Sequence, residues 1–396
     1  MAQTRPRVSV VSFARSSQQL DSSLESLVDQ TFSDWEWVIV LSSEVRWQPT
    51  LPDPRVRIVI DDFVPTSGAG KRLACSVALG EHFVLFEPGD QLTASALDQV
   101  VSALIEDPDL ALVYGNGNGH RASADGPGEQ VDAASPTPHA VSSTAIAPRY
   151  CRTLSRTTYE TVGGYDDSLD HLADADLVCR LYRYGELRKL SDVLITEGRE
   201  LDRPSPSDYA LRQHDALAFY DRVIEGNALV WAQRRGLLAL DASEGQQAPG
   251  YLRVARRPGP GVGLVGDLAV GLDLADSSVG VVRLVDTLGL YRDKIAVFNE
   301  LHRLLADGGL VLSLTPSADG RGGFQDPRSV AFYNENSFWY FTQQGYAQYV
   351  PIITARFTVS RLVTYFPSDW HEQHSVPYVC ANLVAVKPTQ HDAPGA

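Results

Sequence analysis

Short apolar segments alternate with amphipathic segments along most of this chain. The apolar run at residues 8–13 is followed by Leu20, Leu24 and Leu27 at helical spacing, and two further apolar runs follow before residue 61. Strands that alternate with helices at such distances are joined by crossovers and predict a mostly parallel, doubly wound sheet. Ligands bind such sheets at the carboxyl ends of the strands. We therefore expect an α/β fold with its chemistry at that edge.

The alternation starts a second time after residue 235, which predicts a second α/β domain. A chain of 396 residues is also longer than one ordinary core requires. We expect four segments: a first domain over 1–206, a helical linker over 207–235, a second domain over 236–387 and a disordered tail over 388–396.

Composition excludes several classes of protein. The chain has 34 basic and 49 acidic side chains and a net charge of −15, which argues against a nucleic-acid-binding protein. Its four cysteines lack metal-ligand spacing, so we expect buried thiols in a reducing compartment. No signal peptide or membrane-spanning stretch is predicted, which favours a cytoplasmic protein. Whether the chain forms a homo-oligomer stays open.

Five segments of the first half form an ordered pattern. They are the strand at 8–13, the Gln30-Thr31-Phe32 step before the strand at 35–41, Lys71-Arg72-Leu73-Ala74, the strand and acidic turn at 80–90, and Val162-Gly-Gly-Tyr-Asp-Asp-Ser-Leu169 followed by Asp174-Ala-Asp-Leu177. In this order they resemble family 2 glycosyltransferases of the GT-A (Rossmann-like) fold. The resemblance implies an inverting enzyme that moves a sugar from a nucleoside diphosphate sugar to an acceptor hydroxyl. The acceptor is a small secondary metabolite or a surface saccharide, and both stay open.

The resemblance also implies a divalent metal, Mg²⁺ or Mn²⁺, because a departing diphosphate needs its charge neutralised. The family's Asp-x-Asp motif corresponds here to Glu87-Pro-Gly-Asp90. Glu87 and Asp90 are therefore the expected metal ligands. The alternative is an ordinary polar turn, since Pro-Gly strongly favours turns.

The catalytic base implied by the resemblance is Asp174. The family's Glu-Asp-x-Asp-Leu motif appears as Ala173-Asp174-Ala175-Asp176-Leu177, with Ala173 in place of the first acid. A carboxylate can take the acceptor proton during transfer. The alternative is a helix N-terminus, where aspartate is favoured by capping and by the helix dipole.

The expected nucleotide contacts are fewer than in the family, because the acidic pair after the second strand is absent. A cation at residues 71 and 72 would suit a diphosphate, although a solvated helix face explains it nearly as well. The expected donor contacts are Ser12, Ser42, Asp62, Lys71, Arg72 and Asp176. Ser42 and Asp62, or equally Ser43 and Asp61, would substitute for the absent acidic pair, and an ordinary polar loop is the alternative for all four.

The second half carries a different pattern. Residues 276–288 and 298–316, with the turn Gly308-Gly309 between a helix and a strand, look like the second half of a class I S-adenosylmethionine-dependent methyltransferase. The cofactor half departs from that pattern, with a single glycine in 241–247 and Arg256-Arg257 where an acid belongs. We expect that this domain does not bind S-adenosylmethionine. An active, bifunctional methyltransferase and a non-catalytic scaffold with two decayed sites are the alternatives.

Overall fold

The computed structural model describes residues 5–61, 64–118, 130–131, 151–170, 172–196, 223–245 and 247–387. The chain divides into two compact units, Met1–Val223 and Ile224–Ala396. Both are α/β, which confirms the predicted fold class. Asp62, residues 207–222 of the expected linker and the expected tail over 388–396 lie outside the described residues.

The first unit is built on one large sheet. Its strands are β1 (Val8–Ala14), β2 (Trp35–Ser42), β3 (Val56–Asp61), β4 (His82–Leu85), β5 (Gln91–Leu92), β6 (Leu110–Asn118), β7 (Gln130–Val131), β8 (Arg152–Ser155) and β9 (Glu186–Thr196). They lie in the order β3-β2-β1-β4-β8-β6-β9-β5, and β7 pairs with β6. Strands β1 to β4 are parallel, so their carboxyl ends meet at one edge.

Part of this sheet differs from the expected, mostly parallel arrangement. Strand β8 lies antiparallel between β4 and β6, with Arg152 opposite Leu85 and Thr153 opposite Val113. The sequence pattern of residues 153–162 predicts a helix, and the structure has a helix over Arg156–Thr161, but residues 153–155 belong to this short strand. The strand places Arg152 beside the carboxyl end of β4.

The helices of the first unit bury apolar faces against the sheet. They are α1 (Leu20–Val28), α2 (Ser67–Val77), α3 (Ala96–Glu106), α4 (Arg156–Thr161) and α5 (Ala173–Tyr184). Helix α1 buries Leu20, Leu24 and Leu27, the residues that predicted it. Thr66 caps the start of helix α2, because its hydroxyl accepts a hydrogen bond from the amide of Ala69.

The second unit has its own sheet. Its strands are β10 (Leu238–Asp241), β11 (Leu252–Ala255), β12 (Leu264–Val265), β13 (Val279–Val285), β14 (Leu305–Pro316), β15 (Phe357–Tyr365) and β16 (Tyr378–Ala385). The order is β12-β11-β10-β13-β14-β16-β15, with β16 antiparallel to both of its neighbours. The first five strands therefore follow the doubly wound order 3-2-1-4-5.

One helix of the second unit begins with a side-chain cap. The helices of this unit are α6 (described over residues 223–234), α7 (Lys294–Leu304), α8 (Trp339–Thr342), α9 (Gln344–Ala347) and α10 (Asp369–Gln373). The Asp293 carboxylate accepts the amide of Ala296 at the start of α7. Within the core, the Phe298 ring stacks on Phe341 with centroids 4.3 Å apart.

Two further features concern the whole described chain. None of the four cysteines forms a disulfide and all are buried, and burial raises the pKa of Cys75 and of Cys151 to about 12. These thiols are therefore uncharged at neutral pH. Within the described ranges, no helix has the length and apolar character needed to cross a membrane.

Candidate active site

The candidate site lies where the chain changes direction in the first sheet. From β1 the chain builds β2 and β3 on one side, and it then returns to place β4 on the other side of β1. Crevices at such a switch point, beyond the carboxyl ends of the strands, are the usual ligand sites of open α/β sheets. Glu87 follows β4 at this edge, and Lys71 lies on the helix that leads into β4.

Four charged side chains from four elements form one cluster here. Lys71 Nζ lies 2.6 Å from Glu87 Oε1 and 2.6 Å from Asp174 Oδ2. Arg152 bridges the same two carboxylates, with Nη2 3.2 Å from Glu87 Oε1 and Nη1 3.1 Å from Asp174 Oδ1. The Tyr165 hydroxyl donates a hydrogen bond of 2.8 Å to Asp174 Oδ1. We call these five residues the ionic cluster.

The two cations of the ionic cluster are buried, and its carboxylates are more open. The Lys71 and Arg152 side chains are 9% and 4% exposed, against 35% for Glu87 and 26% for Asp174. Buried charges of this kind persist only when they are paired and hydrogen-bonded. The carboxylates therefore form the more open side of the cluster.

The pKa values of the cluster follow from this pairing. Burial by itself would raise the pKa of Asp174, but the Arg152 and Lys71 cations hold it well below its usual value. Burial would likewise lower the pKa of Lys71, and the Asp174 and Glu87 carboxylates more than offset this, so the pKa is raised. Lys71 and Asp174 are therefore both charged at neutral pH.

Asp174 has partners beyond its own helix. Helix α5 begins after Leu172, and no side chain caps its first turn. The Asp174 carboxylate instead points to Lys71, Arg152 and Tyr165. Asp174 thus lies in the first turn of a helix and also belongs to the ionic cluster, whereas its role as a base stays a prediction.

A double-glycine turn positions the tyrosine of the cluster. Gly163 and Gly164 have φ of 86° and 66°, in the left-handed region that favours glycine. A Cβ on Gly164 would lie 2.8 Å from the Tyr159 ring. The Tyr159 hydroxyl in turn accepts the backbone amide of Tyr165 at 3.1 Å. Tight packing of this turn therefore fixes the direction of Tyr165.

We expect Gly164→Ala to destabilise the first unit by about 1–2 kcal/mol, because alanine is strained at positive φ. In a unit of this size, that lowers the melting temperature by roughly 3–8 °C. Gly345→Ala is the matched control, since a Cβ there meets nothing within 4 Å. Equal melting temperatures for the two variants in a calorimetric scan would contradict the tight turn.

The predicted metal ligands do not form a metal site in the described part of the chain. Glu87 Oε1 already faces Lys71 and Arg152, so a divalent ion bound to this oxygen would stand beside two positive charges. The Asp90 residue is buried, and its amide donates to the Glu87 carbonyl in a tight turn. Among the described residues, no group of three or more His, Cys, Asp or Glu side chains could hold a metal. Glu87 and Asp90 thus form no assembled metal site among the described residues, and their role as metal ligands stays a prediction.

The other predicted donor contacts divide into two kinds. Ser12 is fully buried, and its hydroxyl donates to the Phe86 carbonyl and accepts from the Trp37 indole. This hydroxyl joins strands inside the core, so we assign Ser12 no contact with nucleotide. Ser42 ends β2 at the ligand-binding edge and stays a predicted contact.

Arg72 and Asp176 have structural partners. The Arg72 guanidinium donates to the Tyr165 carbonyl at 2.5 Å and thereby supports the double-glycine turn. Asp176 forms an ion pair of 2.5 Å with Arg180 one turn further along α5. The structure therefore brings Lys71, Glu87 and Asp174 together and directs Arg72 and Asp176 elsewhere.

Sequence reasoning missed Arg152 and the role of Tyr165. Arg152 precedes the segment predicted as a helix, and only the pairing of β8 with β4 brings it to the site. Tyr165 stood in the quoted Gly-Gly-Tyr-Asp motif, which was the available signal for it. No local pattern connects either residue with Asp174.

At the carboxyl end of β10 in the second unit, backbone amides bond to a carboxylate and to the neighbouring strand. The Asp241 carboxylate accepts the amides of Ser243 at 3.0 Å and Ala248 at 2.8 Å. The Glu244 amide donates to the Val285 carbonyl at 3.0 Å, so the chain continues along β13 instead of forming an open glycine-rich loop. The expected loss of S-adenosylmethionine binding stays a prediction that agrees with this geometry.

Comparison with known proteins gives distant likenesses among solved structures. No protein-family model and no curated protein matches the chain. Among solved structures, it is similar to S. aureus TarS 1-349, with 14% identity, a TM-score of 0.42 and coverage of 58% of this chain and 71% of that chain. For the same TarS fragment in complex with UDP-GlcNAc, the identity is 13% and the TM-score 0.43, with coverage of 58% of this chain and 72% of that chain. For a mannosyltransferase from Pyrobaculum calidifontis in complex with GDP-Man and Mn²⁺, the identity is 17% and the TM-score 0.38, with coverage of 60% of this chain and 77% of that chain. At these values, an assignment of function has to come from the side chains of the site.

Proposed function

We propose that the first unit is an inverting glycosyltransferase that uses a nucleoside diphosphate sugar as donor and a hydroxyl group as acceptor. The observation that carries this proposal is the ionic cluster at the switch point between β1 and β4. It combines buried cations for a phosphate group with a charged carboxylate for a proton, and glycosyl transfer from such a donor needs both.

The cations of the cluster suit the departing diphosphate. Lys71 and Arg152 come from a helix and a strand and converge on the same carboxylate oxygen, 2.6 Å and 3.2 Å away. Phosphate oxygens bind such donors through short, charge-assisted hydrogen bonds. In a site shielded from water, these bonds stabilise the charge that develops on the leaving group.

Asp174 suits the role of base in the same reaction. Tyr165 and Arg152 hold Oδ1, while Oδ2 faces Lys71. When Lys71 turns towards the diphosphate, Oδ2 is free to accept the proton of the acceptor hydroxyl. The acceptor oxygen then forms a bond to the anomeric carbon, the bond from that carbon to the phosphate oxygen breaks, and the diphosphate leaves with the electron pair.

For the second unit we propose a methyltransferase-like domain that has lost its cofactor. The strand order 3-2-1-4-5 supports a nucleotide-binding ancestry. The closed backbone after β10 supports the loss, because a cofactor needs an open loop at this strand end. The acceptor and the donor sugar stay open within the proposed reaction.

A ligand panel tests the proposed donor class. We expect one of UDP, GDP and TDP, or the sugar donor that carries it, to raise the melting temperature of the full chain, whereas S-adenosylmethionine does not. A ligand at a hundredfold its dissociation constant adds about 2.7 kcal/mol to the stability. Nuclear magnetic resonance of the sugar released from the stabilising donor then reads the anomeric configuration, which we expect to be inverted.

Two results of the panel would contradict the proposal. If no nucleoside diphosphate or sugar donor shifts the melting temperature, the first unit does not bind this donor class. If S-adenosylmethionine alone shifts it, the chemistry belongs to the second unit. A retained configuration would overturn inversion while leaving glycosyl transfer in place.

A further inference from the structure

A single carboxylate oxygen in the ionic cluster occupies a position suited to phosphate. Glu87 Oε1 lies 2.6 Å from Lys71 Nζ and 3.2 Å from Arg152 Nη2, so one anionic oxygen is shared by two cations. A non-bridging oxygen of a diphosphate has the same charge and the same preference for two strong donors. In this state the site therefore holds an internal substitute for its ligand.

We propose that Lys71 and Arg152 bind the donor diphosphate directly, without a divalent metal, and that the diphosphate does so by displacing the Glu87 carboxylate. Because this inference rests on the proposed glycosyl transfer, it deepens that proposal by naming how the leaving group is neutralised. It assigns Glu87 the role of a displaceable counter-ion instead of a metal ligand.

Glu87 is the carboxylate that can leave the cluster. Its side chain is 35% exposed and follows β4 in a turn where Gly89 has φ of 100°. Asp174 is 26% exposed and additionally accepts the Tyr165 hydroxyl at 2.8 Å. The more exposed and less firmly held anion leaves more easily, since solvent stabilises its free charge.

The guanidinium group of Arg152 has capacity for another acceptor. Its side chain is 4% exposed, and among the described residues its Nε atom has no hydrogen-bond partner. Unpartnered buried donors cost free energy and are uncommon in folded proteins. A diphosphate has more acceptor oxygens than a carboxylate and so suits this donor set better than Glu87 does.

The two cations that attract a diphosphate would repel a divalent ion bound to Glu87. To bind Glu87 Oε1 it would have to break two ion pairs, and at either oxygen of this carboxylate it would stand close to Lys71 and Arg152, which repel it. The cluster also suits the course of the reaction without a metal. When Asp174 accepts the acceptor proton, it stops competing for the two cations at the moment when charge grows on the leaving group.

The test compares the full chain with its Glu87→Gln variant by calorimetric titration with UDP, GDP, TDP and inorganic pyrophosphate. Each titration is run in EDTA and in Mn²⁺. We expect wild-type binding in EDTA, and roughly tenfold tighter binding by the variant, because the competing charge is gone. Glu160→Gln is the matched control. It removes a 65% exposed carboxylate of the same unit, and we expect wild-type affinity.

Each other outcome has a definite meaning. Wild-type binding only with Mn²⁺, together with loss of binding in Glu87→Gln, would overturn the inference and leave the proposed function intact. Equal metal-free affinities of wild type and variant would overturn the displacement of Glu87. Absence of binding by both proteins in both solutions would contradict the proposed function itself. The wild-type titrations decide the metal question even if the variant does not fold.

Discussion

Asp174→Asn is expected to lower sugar transfer by about 10²- to 10⁴-fold, the contribution typical of a general base. Asparagine keeps the shape of the side chain, but its amide does not accept a proton at neutral pH. Binding of the nucleoside diphosphate should be retained or strengthened, since Lys71 and Arg152 lose one competing anion. The measurement is the turnover rate with the donor identified by the ligand panel, beside its dissociation constant.

The control for this variant is Asp107→Asn. Asp107 pairs with Arg188 at 2.5 Å in the same unit, and we have placed neither residue in the site. We expect the turnover rate of this control to equal that of the wild type. Turnover of Asp174→Asn within about threefold of the wild type would show that another group takes the proton.

Arg152→Met is expected to destabilise the first unit by about 3 kcal/mol. Removal of one partner from a buried ion pair typically costs 3–5 kcal/mol, because the remaining charges stay buried without compensation. The expected loss of stability lies at the lower limit of this range, since Glu87 is 35% exposed and can turn to solvent. The melting temperature should fall by roughly 6–12 °C in a calorimetric scan.

Acidification supplies an independent check on this second prediction. The Arg152 and Lys71 cations hold the pKa of Asp174 below its usual value, so their stabilisation is complete above about pH 4 and is lost as the pH falls towards the lowered pKa. The stability difference between wild type and Arg152→Met should therefore shrink below about pH 4.

Arg188→Met is the control for Arg152→Met. The Arg188 and Asp107 side chains are 34% and 36% exposed, and ion pairs so open to solvent contribute about 0–1 kcal/mol. We expect a correspondingly small change in melting temperature. Equal losses in the two arginine variants would show that the ionic cluster does not stabilise the unit.

Much of the fold could be predicted because local patterns determine it. Apolar runs gave the central strands, and the helical spacing of leucines gave α1. The predicted helix over 153–162 included three residues of β8, because a strand of four residues is too short for periodicity and its conformation depends on pairing with the distant β4. Strand β9 was missed because Arg188 and Lys189 interrupt its apolar pattern.

In the candidate site, too, short motifs predicted some residues, while others depend on distant pairing. Lys71, Glu87 and Asp174 were predicted from short motifs, and the structure brings them together. The metal at Glu87 was predicted from the motif alone, since a sequence does not show which charge a carboxylate faces. Arg152, the second cation of the cluster, was not predicted, because its approach to Asp174 depends on how β8 pairs within the sheet.

The ionic cluster also bears on how the first unit unfolds. Its cations and carboxylates come from segments up to 103 residues apart, so the two positive and two negative charges balance only when all four segments are in place. A partly folded state that lacks one segment leaves unpaired ions in a shielded environment, which raises its free energy. Such states are therefore sparsely populated, and the donor site and the surrounding sheet should lose their structure in one cooperative step.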